Sequence, residues 1–115
     1  MKINWILTIG LISSQLSWGA LTQSQYDAQV KTLYASLERS QADLNRALDN
    51  RDQHQNIINK ACVYASNMRS LQKLSQDNLN LKKAAEEAEF IKGLITSFDV
   101  SFKELGTSFR QSCKS

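Results

Sequence analysis

No proline occurs anywhere in the 115 residues, and no glycine occurs between Ala20 and Lys92. The two residues that interrupt helices most effectively are therefore missing from most of the chain. Strand signals are scarce as well, because β-branched residues are scattered and strict apolar–polar alternation is rare. An all-α fold is expected. Histidine is nearly absent: His54 stands alone in the most polar segment, without a second histidine or a Cys-x-x-Cys pair. That argues against a zinc site and leaves His54 as a solvated turn residue. No serine sits in a Gly-x-Ser-x-Gly elbow, and no glycine-rich loop exists to cradle phosphate. Glu86, Glu87 and Glu89 form a short acidic run, but Lys82, Lys83 and Lys92 lie within helical reach of it. This reads as an ion-paired helix surface and not as acid–base machinery. With no catalytic residue, metal ligand or cofactor site to name, the chain is not expected to be an enzyme.

Clusters of one charge sign are missing too. Fourteen Lys and Arg stand against 11 Asp and Glu, a net charge of +3, and the signs alternate along the chain. A nucleic-acid partner would call for Lys and Arg gathered on one face. No apolar run approaches the ~20 residues that a membrane-spanning helix needs.

What is present begins with a leader. Met1-Lys2 is positive, Ile3 to Ile12 is apolar apart from Asn4, Thr8 and Gly10, and Ser13-Ser14-Gln15 ends the run. That is the layout of a secretory signal peptide. Cutting after Gly19 puts small residues, Gly19 and Ser17, at the two positions that matter, whereas cutting after Ala20 would put bulky Trp18 at one of them. The expected organisation is a signal peptide over 1–19 and one helical domain over 20–115. An uncleaved anchor is the alternative, but the apolar run is about half the needed length. Loss of Lys2 lowers the net charge from +3 to +2. A periplasmic or secreted protein follows, with no stable membrane span after cleavage.

Two cysteines, Cys62 and Cys113, in an exported chain suggest one disulfide. Free thiols or pairing between chains are the alternatives. Nothing basic is placed to lower a thiol pKa, so a structural bridge is favoured over catalytic thiols.

The helices can be read in order. Thr22 and Gln25 form a capping box, with Leu21 and Tyr26 placed as a hydrophobic staple. The stripe Tyr26, Val30, Leu33, Leu37, Leu44 predicts a helix over 23–49, thin at the polar slot of Ser40. Asp49 to Asn56 carries no apolar residue and reads as a turn near 49–53, with a polar continuous helix as the alternative. A second helix carries Ile57, Ile58, Ala61, Cys62, Ala65, Met68, Leu71 and Leu74, with Tyr64 on its flank. Ser75 to Asn78 is the next soft spot, where Asp77 is a possible N-cap.

The third helix has the strongest signal. Leu81, Ala84, Ala88, Ile91, Ile95, Phe98, Phe102, Leu105 and Phe109 alternate spacings of three and four without a skip. Lys82–Glu86 and Lys83–Glu87 are possible i,i+4 pairs on its outer face. Ala84, Ala85 and Ala88 allow close approach to a neighbour. A short strand over Phe98–Phe102 is the alternative that the unbroken heptad disfavours. The cysteines limit this helix. In a hairpin turning near residue 77, a straight third helix would leave Cys113 about 30 Å past Cys62 along the axis, whereas a disulfide needs Cα atoms within about 7 Å. An internal bridge therefore predicts a break at or near Gly106, or a bend near Gly93. Seven extended residues reach back about 23 Å.

The expectation is two or three long antiparallel helices, a hairpin or a three-helix bundle, closed by one disulfide. In general shape such a chain resembles small exported bacterial helical proteins, among them single-disulfide periplasmic immunity proteins and coiled-coil minor subunits of conjugative secretion systems. No motif carries a residue over from either. Function then rests on surfaces. Phe98, Phe102, Leu105 and Phe109 form a dense apolar cluster, either bundle core or the face that meets a partner. Polar Ser40, Arg51 and His54 at heptad slots suggest incomplete coverage. The partner is expected to be another protein or a second copy of the chain. The function expected is a binding module, such as an inhibitor or immunity-type protein, or else an assembly component that uses the stripe as a coiled-coil seam.

Overall fold

The computed structural model describes residues 21–113, so the signal peptide expected over 1–19 lies outside the described residues. The first helix, α1 (Gln23–Asp49), starts where the sequence places it. Thr22 Oγ1 accepts from the Gln25 amide, and Gln25 Oε1 accepts from the Thr22 amide. These two bonds satisfy donors that a helix start would otherwise leave bare. The helix ends in a Schellman motif: the Arg51 amide bonds to the Leu48 carbonyl and the Asp52 amide to the Ala47 carbonyl. Arg51 holds the left-handed position with φ +54°. The turn reading for 49–53 is therefore right.

Helix α2 (His54–Gln76) and helix α3 (Ala84–Glu104) follow, then a single turn, α4 (Phe109–Ser112). There are no strands among the described residues. Helices α1, α3 and α4 all pack on α2, which makes α2 the central element. Its core face is accordingly well enclosed, with Ala65, Met68 and Leu71 fully buried. Tyr64, expected on the flank, is buried too, because a helix covered on two sides has a wider core face than a one-sided stripe suggests. Ser40 is not a thin spot. It is buried, with Oγ donating to the Leu37 carbonyl and accepting from Asn67 Nδ2, which also donates to the Ser36 carbonyl. This polar contact fills the place of an apolar one between α1 and α2.

The loop between α2 and α3 departs from expectation. Asp77 is not the N-cap of the third helix but the C-cap of α2, its amide bonded to the Lys73 carbonyl. Helix α3 begins only after Lys83, at φ +69°. Leu81 to Lys83 thus belong to the loop. The ion pairs expected between Lys82 and Glu86 and between Lys83 and Glu87 are not formed, since neither lysine lies within the helix. Gln23 clamps this loop instead, with Lys82 donating its amide to Gln23 Oε1 at 2.9 Å.

Helix α3 does not run to Phe109. It ends at Glu104 in a second Schellman motif, with the Gly106 amide bonded to Lys103 and the Thr107 amide to Phe102. Gly106 takes φ +82°, which glycine adopts without strain. The break predicted from the cysteines is at Gly106, and Gly93 lies inside an uninterrupted helix. The chain turns back, α4 lies on α2, and Cys113 meets Cys62 with Cα atoms 5.3 Å apart.

Candidate functional site

The end of α3, the turn α4 and the middle of α2 build one locality, with aromatic rings as its core. Tyr64 meets Phe98 edge-on with ring centres 5.0 Å apart. Phe98 meets Phe102 at 5.2 Å and Phe102 meets Phe109 at 6.5 Å. Edge-to-face contacts of this kind are each worth ~0.5–1.5 kcal/mol beyond the area they bury. Phe109 comes from the short turn and not from α3, so the apolar sequence stripe closes on itself through the fold. On its outer side the Phe109 ring carries the Arg69 guanidinium, 3.8 Å from the ring centre. Arg69 also pairs with Asp99 at 3.1 Å. A shallow surface depression, lined by Arg69, Asp99, Ser108, Arg110 and Gln111, lies beside this ring.

The four residues expected to form an interaction surface do not share one environment. Phe102 is almost wholly buried, Phe98 and Phe109 are half-buried, and Leu105 is 46% exposed. The reason is the Schellman turn. Leu105 is the C-cap of α3 and points away once the helix stops, while Phe109 returns over Phe102. Cys62 and Cys113, both half-buried, close the locality on the α2 side. Sequence reasoning missed Arg69. The signal was its spacing, seven residues and so two turns from Cys62 on one face of α2. Any tail that delivers Cys113 to Cys62 lays Phe109 near that face.

A second polar locality ties the opposite end together. The Tyr26 hydroxyl on α1 donates to the Glu87 carboxylate on α3 and lies 3.2 Å from Ser75 Oγ on α2. A phenol has one proton to give, so Ser75 is the donor in the second contact. Burial, reinforced by the bond to Glu87, pushes the Tyr26 phenol up to about 12, against the lowering effect of Ser75. Burial raises Tyr34 as well, with a further push from the Glu87 charge, and burial raises Tyr64. These groups join helices. No group of three or more His, Cys, Asp or Glu among the described residues is arranged to hold a metal, and His54 is exposed at the start of α2. No described helix is long and apolar enough to cross a membrane.

No family model, curated protein or solved structure matches the chain.

Proposed function

We propose that the protein is an exported, periplasmic or secreted, helical protein-binding module of the inhibitor or immunity type, without enzymatic activity. The observation that supports this reading best is how the apolar stripe of α3 is used. Ala84, Ala88, Ile91 and Phe102 are buried within the monomer, which leaves no long seam for a coiled coil with another chain. One stripe residue, Leu105, stands outside, on a surface shared with His54, Gln55, Thr107 and Gln111. An apolar residue rimmed by polar ones, on a rigid disulfide-pinned end, is the form that a contact anchor takes. The alternative, self-assembly through the stripe as part of a secretion apparatus, would require α3 to leave α2.

Light scattering with intact mass on the exported protein under non-reducing conditions separates the two. A monomer beginning at Ala20 and lighter by two hydrogens is expected. An elongated oligomer or a disulfide-linked dimer would move the weight to assembly. Leu105→Glu should leave the fold intact and abolish co-purification of the partner.

A further inference from the structure

We infer that residues 107–113 form a redox-released cover, locked by the Cys62–Cys113 disulfide, over the Phe98–Phe102 aromatic surface. The inference rests on the binding-module reading for its biological meaning, and it adds that reduction enlarges the contact surface that Leu105 already presents in the oxidised form. Three features carry it. First, the cover has little hold of its own. A helix of four residues does not persist in water, and α4 packs mainly on α2, meeting α3 through the Phe102–Phe109 ring contact. Its attachments to the rest of the chain besides the disulfide are the Phe109 ring against Phe102, the contact of that ring with Arg69, and the Thr107 amide bond to the Phe102 carbonyl at the α3 cap. The Thr107–Ser112 hydroxyl bond lies within the cover itself. Second, what it covers is apolar. Phe102 is 1% exposed although it belongs to the last turn of α3, and of the rings against it Phe109 is the one contributed by the tail. Withdrawal of Phe109 would bare Phe102 beside Phe98 and the exposed Leu105, joining them into one continuous patch. Third, the lock is within reach. Cys62 and Cys113 are both half-buried and border a surface cleft with exposed Val63 and Ser66. Solvent-reachable disulfides are the ones that exchange.

The reductant required is a dithiol, either a small molecule or a protein of the dithiol–disulfide exchange class. One of its thiolates attacks a sulfur of the Cys62–Cys113 bond and releases the other as a thiolate. Its second thiol then resolves the mixed disulfide. Two electrons and two protons pass to Cys62 and Cys113, and the dithiol departs oxidised. Gly106 is the hinge, since its left-handed turn belongs to the α3 cap and survives while the segment after it swings away.

Hydrogen exchange tests this on the exported chain, oxidised and after reduction with dithiothreitol and alkylation. The amides of Gln111, Ser112 and Cys113 are bonded within the cover. On reduction they should exchange roughly tenfold faster or more, approaching the rate of an unstructured chain, while amides in α1 to α3 lose only what the fall in global stability takes and stay protected. Binding of an apolar dye should rise in parallel, with helicity by circular dichroism essentially unchanged. Cys62→Ser/Cys113→Ser should behave the same way without reductant. Unchanged exchange at residues 111–113, complete loss of protection throughout the helices together with the tail, or thiols that react only after global unfolding would each overturn the inference. Partner binding enters none of these readouts, so a cover that stays shut leaves the binding reading standing. Conversely, a cover that opens while Leu105→Glu still retains its partner would remove the binding surface and keep the latch.

Discussion

Arg51 occupies a position that suits glycine. With φ +54° at the C-terminal turn of α1, its Cβ crowds the backbone, a cost that glycine escapes. Arg51→Gly is expected to stabilise the protein by ~0.5–1 kcal/mol, allowing for glycine's greater freedom in the unfolded chain. Gly106 is the mirror case at the end of α3. A Cβ there would meet nothing within 4 Å, so the cost of Gly106→Ala comes only from φ +82°, and a loss of about 1 kcal/mol is expected. Gly93 has open space and lies within α3. Gly93→Ala should therefore add about 1 kcal/mol, a rise in Tm of about 4–8 °C for a domain of this size. Urea titrations of the three variants check both signs. Opposite outcomes at Gly93 and Gly106 would show that backbone angle, and not glycine itself, separates them.

Between elements, the knot of Tyr26, Ser75 and Glu87 makes stability depend on alkaline pH. The Tyr26 phenol has a folded pKa of about 12 against an ordinary 10.0, so the fold favours its protonated form. That contribution is complete below pH 10 and is lost as pH rises from 10 through 12. It is on the order of 2 kcal/mol. Raised Tyr34 and Tyr64 act in the same direction. Chemical denaturation at pH 8, 10 and 11.5 should show a plateau and then a fall, with the fall reduced in Tyr26→Phe. That variant should also cost about 1 kcal/mol near neutrality, because Ser75 loses its buried acceptor. The boundaries of α1 were readable because Thr22 and Gln25 are a reciprocal local device. The start of α3 was not. Its N-cap, Lys83, offers no capping side chain, and the residue before it, Lys82, is held by Gln23 from 59 residues earlier in the chain, a contact that no local pattern records.

Across the whole molecule the disulfide joins residues 51 apart. In the chain-entropy view such a bridge stabilises by ~4 kcal/mol, a large part of the ~5–15 kcal/mol typical of a domain. Cys62→Ser/Cys113→Ser should therefore melt well below the oxidised protein yet stay folded at 25 °C, since the bridge sits at the edge of the core that α1, α2 and α3 share and supplies none of its fully buried side chains. Thermal melts by circular dichroism would show this. A double variant without a cooperative transition would mean that the three-helix core does not stand without the bridge.

Helical class, helix count within one, the cap of α1, the turn after Asp49 and the break at Gly106 were all legible in the residues. Each follows from short-range chemistry or from one distance constraint. Periodicity tells that a face must be buried, and rise per residue tells what two cysteines can reach. What only tertiary packing decided is which element each face meets. The stripe from Leu81 to Phe109 reads as one continuous surface, yet α3 stops at Glu104, Leu105 is left in solvent, and Phe109 returns over Phe102 beneath Arg69. Tyr64 is buried and Ser40 is paired because α2 lies between two neighbours. A heptad describes one helix. It carries no information on how many helices will cover it, because that depends on contacts between residues dozens of positions apart.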